Sequence, residues 1–592
     1  MKNFIKNIFS PKLYLQGIKR IRAIGIAAAI CTIIPNALIP IMEAMRSPSY
    51  DYNYIGTAEV GYGVFAPYLV LLMIFAPIMV YLTFSYLNER KKADFFHSIP
   101  QKRACVYTSF TLAIASWMAV IIGVSVIVNS VLWSFVPYHT LPVALPFEAF
   151  IYCFAAALLV AAYMLVAMTL TGSVVSNLLV FALLIFLPRL LTLLFTSCLE
   201  SCANVFVLSG SVWKYLSYEG FLPLGAFLQF VSGDDSYLDI SILLYGLTVA
   251  ILLIVAAGAI YKARRSEMAG QSTPNRKLQA VYRTAVALPF LFWIVSECVV
   301  YGFEGETFLL LFCAAVISYM IFELMMTKSL KSMFRSLILF WIPVVVAVGF
   351  FGAVKASEFA VESVQPEGEE IEYVTLYNRY GGGMYGEYDK IPYEVKLSSS
   401  GACDMISSIL RDHIEYEYDY RDGLRYEETS YWEDRNTYIN VKIKLENGIT
   451  VTRGLRFADD ELARLVRYAA DESEEYRESL IWLPKSEKIY RINICGGSTV
   501  YDGHGSGGFF NGSKILEMFY NEYNSLSDKE KAEYRTVGSN ASAVYANCYM
   551  DVYFYDDNGR YVRIRLYLSE KYIPETSRYV YEIHIEQIEQ KQ

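Results

Sequence analysis

Residues 88–103 read NERKKADFFHSIPQKR, five basic and two acidic side chains set between two long apolar runs. Basic charge beside membrane spans marks the cytoplasmic side of a bilayer, so this stretch orients what surrounds it. Phe95 and Phe96 among the charges, with Pro100 as a helix stop, predict a short amphipathic helix lying under the membrane.

Outward from it, apolar runs of the length a bilayer requires recur at 23–42, 67–87, 105–135, 148–170, 177–195, 240–261, 285–301, 307–326 and 336–353, which predicts nine spans. With 592 residues and 55% hydrophobic content, the chain is too long for one domain and too apolar for an ordinary soluble protein. The first apolar run is followed by Pro48, aromatic residues and Glu59 rather than a small-residue cleavage site, so it is expected to stay as a span. An N-terminus inside puts the even connections in the cytoplasm, and 90–103, 262–283 and 328–335 are the basic ones. The odd connections carry Asp51, Glu59, Asp234, Asp235, Glu304 and Glu306, so the C-terminal part is expected outside. Residues 1–354 hold 23 Lys+Arg against 16 Asp+Glu, and residues 355–592 hold 28 against 43. That balance suits a basic membrane part touching lipid and an acidic part held away from it, and it leaves nucleic acid without a binding face.

The fold class expected is a polytopic α-helical membrane protein of about nine transmembrane helices with a C-terminal α+β soluble domain built as a tandem duplication. The boundaries are a cytoplasmic amphipathic helix at 1–22, a six-span core at 23–262 and three further spans at 263–354. Two extracellular modules follow, 355–485 with a charged helix and 486–592. The duplication rests on a repeated order: a strand (371–378, then 488–495), a glycine-rich turn (381–383, then 503–508), a helix (404–414, then 514–524) and a hairpin (438–453, then 550–566). Both hairpins turn at Asn-Gly, Asn447-Gly448 and Asn558-Gly559.

Several features stay open on sequence alone. The N-terminal helix is either interfacial or a plain positive anchor. The connection between spans five and six holds apolar pieces at 204–210 and 220–231, too short to cross, which read as re-entrant or interfacial helices or as a packed cap. Arg189, midway along span five, is the candidate translocation-path residue, with snorkelling as the alternative. Glu297 and Glu323 read as interhelical pairing partners. Cys198 and Cys202 are the one pair near enough to bridge, in poor geometry for a disulfide.

Catalytic chemistry has no visible home. Residues 503–514, GHGSGGFFNGSK, imitate two nucleotide motifs, but no parallel βαβ unit surrounds them and Ser513 stands where a phosphate loop needs Lys. The five histidines are scattered, so no metal set is expected. The acidic stretch 415–428 lacks calcium-loop spacing.

The run YLNERKKADFFHSIPQKR resembles the loop after span two in bacterial ATP-binding cassette (ABC) transporter permeases of the type-2 export class. The likeness is nearest to large permeases of Gram-positive anaerobes. Asp94, Phe95, His97, Ser98 and Pro100 match that phrase, while Ala93, Phe96 and Ile99 replace its usual serine, tyrosine and leucine. The resemblance implies that Arg90, Lys91, Lys92, Asp94, Phe95, Phe96, His97, Ser98, Pro100, Lys102 and Arg103 form a coupling loop that receives a cytoplasmic ABC ATPase. It also implies a second permease subunit, identical or related, export as the direction of transport, and ATP bound by the partner with no cofactor in this chain. The alternative is a membrane-held sensor whose outer domain captures a peptide or envelope component. A polytopic enzyme ranks last.

Overall fold

A computed structural model of the chain describes residues 8–45, 58–207, 220–232, 240–377, 395–421, 437–474 and 489–589, apart from short connections inside those ranges. It divides into two compact units, Met1–Ser201 with Leu208–Ala356, and Cys202–Val207 with Ser357–Gln592.

The first unit begins with α1 (Pro11–Arg20) and α2 (Arg22–Met45). Next come α3 (Ala66–Phe84), a 3-10 turn at Ser85–Asn88, α4 (Arg90–Ser98), α5 (Arg103–Trp133), α6 (Ala144–Leu170) and α7 (Val174–Cys202). The remainder is α8 (Leu222–Ser232), α9 (Ile240–Ala263), α10 (Arg276–Val300), α11 (Gly305–Thr327), α12 (Leu330–Ser336) and α13 (Trp341–Glu362). Strands β1 (Ala58–Glu59) and β2 (His139–Thr140) pair in parallel between them. Among the described residues nine helices are long and apolar enough to cross a membrane, one on each predicted run, so the chain is a multi-pass helical membrane protein. α10 starts nine residues before the expected boundary because its first turns, with Arg276, Lys277 and Arg283, are helical without being apolar.

The larger core joins residues of α1, α2, α3, α5, α6, α8 and α9, and a second cluster joins α10, α11 and α13 to Leu194 of α7. A smaller cluster of Ala167, Val180, Tyr282 and Phe322 ties α6 and α7 to α10 and α11. The N-terminal helix is no loose anchor. A Cβ at Gly17 would stand 2.9 Å from the Ala113 Cβ of α5, Tyr14 Oη donates to Ser116 Oγ at 2.9 Å, and Trp117 Nε1 donates to the Ile18 carbonyl at 3.2 Å. Between α2 and α5, Ser125 Oγ donates to Thr32 Oγ1 at 3.0 Å and Asn129 Nδ2 to the Asn36 carbonyl at 3.1 Å, a polar seam one turn apart on both helices. The apolar piece 220–231 forms α8, which buries Leu222 and Ala226 completely in the larger core. Cys198 and Cys202, one turn apart on α7, are both buried and form no disulfide with each other.

The second unit holds two four-stranded antiparallel sheets. The first runs β4 (Val395–Leu397), β3 (Ile371–Tyr377), β5 (Thr437–Leu445), β6 (Thr450–Phe457), and the second β8 (Ser498–Asp502), β7 (Ile489–Ile494), β9 (Tyr549–Tyr555), β10 (Tyr561–Tyr567). Ile439, Val441, Ile443 and Leu445 alternate inward along β5 as period-two patterning demands. Gly448 turns the first hairpin at φ +87°, while Asn558-Gly559 and both glycine-rich turns lie outside the described residues. Helices α14 (Ser400–Arg421) and α15 (Asp459–Glu472) accompany the first sheet, α16 (Gly512–Ser525) and α17 (Pro574–Glu589) the second. Each sheet therefore has one strand more than expected, β4 and β8. Three and five residues are too short for alternation to declare itself.

Of the apolar piece 204–210, residues 205–207 are described, and they belong to the second unit. Val205 is fully buried in the core of the first sheet, its carbonyl accepts the Gly454 N–H at 3.0 Å, and Phe206 bridges Arg453 antiparallel along the outer edge of β6. An edge strand is thereby covered by a segment 165 residues upstream of β3 in the case of Phe206 and 166 in that of Val205. Four crossings, α9, α10, α11 and α13, separate Val205 from β3.

Glu472, at the end of α15, accepts the Ser398 and Ser399 N–H groups and the Ser398 hydroxyl ahead of α14. Burial acts to raise its carboxyl, but the donors on Ser398 and Ser399 outweigh it and hold the group below its ordinary value of 4.5. A depressed carboxyl stabilises the fold above the unfolded value and loses that contribution as pH falls through the folded one. The protection of amides at the start of α14, measured against the intrinsic exchange rate at the same pH, is therefore expected to fall as pH drops below 4.5, and Glu472→Gln is expected to flatten that response.

Candidate functional site

At the basic end of the first unit, Glu89 and Ile99 take extended backbone and bound the helix Arg90–Ser98 between them, Pro100 following at once. Ala93 is buried and Phe96 half-buried, three residues apart on the inward face. Arg90, Lys91, Lys92, Asp94, Ser98, Pro100 and Lys102 are exposed, Arg103 is partly buried, and Phe95 stands 65% exposed among the charges. His97 lies on the same helix, with its side chain outside the described residues. Lys92 and Glu89 form an exposed ion pair at 2.7 Å, worth well under 1 kcal/mol.

The inward face rests on an aromatic floor. Phe96 stacks on Tyr86 with ring centroids 4.1 Å apart, and Tyr86 and Tyr261 share a hydrogen bond at 2.8 Å. Phe84, Tyr107 and Phe110 close around them. Arg20 of α1 lies 5.5 Å from the Phe96 ring centroid and 5.7 Å from that of Tyr86, and it donates to Ser85 Oγ at 3.1 Å. A guanidinium over two aromatic faces ties the N-terminal helix to the floor. Burial pulls the Arg20 guanidinium below its ordinary value, the Tyr86 phenol acting against it.

Beneath the floor lies a clamp of backbone carbonyls. Arg264 Nη1 reaches the carbonyls of Met168 at 2.6 Å, Thr169 at 2.9 Å and Thr171 at 2.6 Å, and Nη2 reaches that of Leu87 at 2.9 Å. Arg103 Nη1 donates to the Arg264 carbonyl at 2.5 Å and to that of Lys262 at 3.3 Å. Burial draws the Arg264 guanidinium down to about 10, with Tyr86 and Tyr261 acting the other way, so it stays charged at neutral pH. Alongside, Asn177 Nδ2 donates to Asn88 Oδ1 at 3.0 Å and the Thr171 hydroxyl donates to Asn177 Oδ1. Gly172 and Gly270 are linked N–H to carbonyl at 2.8 Å, so closely that a Cβ on Gly172 would meet the Met268 carbonyl oxygen at 2.0 Å.

The loop residues singled out by sequence thus stand together. Arg264, Arg20, Tyr86 and Tyr261 were not among them; the basic run 262–283 reads as a topology marker, and nothing local distinguishes Arg264 from Arg265 beside it. Arg189 is placed apart, half-buried with its guanidinium 5.2 Å from the Phe221 ring centroid. Glu323 does pair between helices, at 3.1 Å from Arg283 of α10. Glu297 accepts from Trp293 Nε1 one turn earlier on its own helix at 2.7 Å and forms no interhelical ion pair among the described residues. The glycine run 503–511 lies outside the described residues, and Lys514, after it, sits 4.6 Å from the Tyr579 ring centroid. Among the described residues no group of three His, Cys, Asp or Glu is placed to hold a metal ion.

What the basic end presents is a short helix, rigid on its inner side and cationic with one bare aromatic ring on its outer side. That surface suits recognition of another macromolecule. No family model, curated protein or solved structure matches the chain.

Proposed function

We propose that this chain is the membrane-spanning permease subunit of an ABC exporter, driven by a separate cytoplasmic ATPase that docks on Arg90–Ser98. The single observation carrying the reading is the two-faced character of that helix. Its inner face is stacked on Tyr86, while Phe95 is bare beside Arg90, Lys91, Lys92 and Asp94. An exposed aromatic inside a charged rim is the composition of an interface hot spot. ATP belongs to the partner in this reading, and a second permease subunit, identical or related, completes the pathway for an amphipathic or peptide-like substrate.

The basic end faces the cytoplasm and the second unit faces outside. Its two sheets are tandem copies: strand order agrees, and both central strands carry a register shift at their start, Ile371/Tyr373 and Ile489/Arg491. Arg189 is the translocation-path candidate.

Recovery of an ATPase with the affinity-purified full chain from native membranes is expected to fall at least tenfold in Phe95→Asp and in Asp94→Arg. The chain itself should extract and migrate normally, since both side chains point outward. Undiminished recovery would remove the docking role, and ATP hydrolysis by the purified chain alone would remove the division of labour.

A further inference from the structure

We infer that Arg264 is the positioning residue that sets the pose of the docking helix and links it to the fourth and sixth spans. This rests on the docking role proposed above, but its geometry stands by itself.

The helix Arg90–Ser98 is bracketed on both sides by the same residue. Before it, the carbonyl of Leu87 accepts from Arg264 Nη2 at 2.9 Å; after it, Arg103 Nη1 donates to the carbonyl of Arg264 at 2.5 Å. The other face of the same guanidinium takes the carbonyls of Met168, Thr169 and Thr171 at the end of α6. Terminal carbonyls of a helix have no partner within it and carry its negative end, so a buried cation is the group that best satisfies three at once. Arg264 itself continues directly from α9. One planar fork therefore joins the ends of three spans, and its own backbone holds the start of a fourth.

A displacement of the docking helix has two routes into the membrane. Along the chain it reaches α3 and α5. Through Arg264 it reaches α6 and α9 as well, and those two helices form an extensive interface in the larger core. Arg265 is the control: it is also an arginine, one residue on and exposed. Lysine at 264 keeps the charge but cannot offer donors in a planar fork to four carbonyls.

The test uses the full chain in nanodiscs with its native cysteines replaced by serine or alanine, spin-labelled at Ser98→Cys and Val175→Cys, two exposed positions within the first unit. One narrow distance distribution is expected in the parent and in Arg265→Gln, a distribution at least twice as broad in Arg264→Gln, and an intermediate width in Arg264→Lys. Arg103→Gln opens the second bracket and should also broaden it. If Arg264→Gln fails to fold, Arg264→Lys and Arg103→Gln carry the comparison. A folded Arg264→Gln as narrow as Arg265→Gln overturns the inference. In membranes where an ATPase co-purifies, Arg264→Gln should keep its recovery within twofold while lowering permease-stimulated hydrolysis at least tenfold; equal losses of both would reduce Arg264 to a purely structural part. Should no ATPase associate with the parent chain, the exporter reading fails, and the distance measurements still judge the positioning role.

Discussion

Glu323→Ala alone is expected to destabilise the first unit by about 3–5 kcal/mol, because it strands a buried cation. Glu323 Oε2 lies 3.1 Å from Arg283 Nη1 and 3.1 Å from Gln279 Nε2, and Ser332 Oγ donates to Oε1 at 3.0 Å. Both charged side chains are at most 7% exposed, and the Arg283 guanidinium sits 4.7 Å from the Tyr319 ring centroid. With its partner removed, Arg283 keeps its desolvation cost and loses the carboxylate that offsets it. The double replacement Glu323→Leu with Arg283→Met removes both charges at similar volume and is expected to return to within about 1–2 kcal/mol of the parent. Thermal unfolding in detergent, read as the fraction eluting as monodisperse protein, compares the two. Equal damage in the single and double variants would show that packing, not charge, is at stake there.

Val205→Asp is expected to cost about 4 kcal/mol or more in the second unit, since a carboxylate would enter a closed apolar core. Val205 is fully buried with Val374, Val441 and Leu455 in one cluster, and its carbonyl completes the hydrogen bonding of Gly454 on β6. Protease protection of β3, β5 and β6 in the full chain should collapse, while α10 and α11, which share no residue with that cluster, keep theirs. Val205→Ile should be mild. The same geometry says that a fragment beginning at residue 357 presents an uncovered β6 edge, a surface prone to pairing between chains; a peptide spanning 202–207 added in trans should raise its melting temperature.

The nine long apolar helices and the short helix Arg90–Ser98 were legible because their signals are local. About 20 apolar residues in succession have few folds other than a helix in lipid, and the charges of 88–103 sit between two such runs. The hairpin at Asn447-Gly448 was legible for the same reason, since Gly448 at φ +87° occupies a conformation that favours glycine. Boundaries failed where helices leave the apolar phase, as α10 does, and β4 failed because three residues make no pattern.

What the sequence by itself determined is the nine long apolar helices, the short charged helix Arg90–Ser98, the hairpin at Asn447-Gly448, the order of these elements and the charge on each connection. What the tertiary structure alone decided is which residues hold them together. Arg264 binds four carbonyls and Val205 binds one amide, all of them backbone groups that every non-proline residue carries. A contact made to backbone leaves no complementary letter elsewhere in the chain, so its partners become visible when the chain is folded and not before.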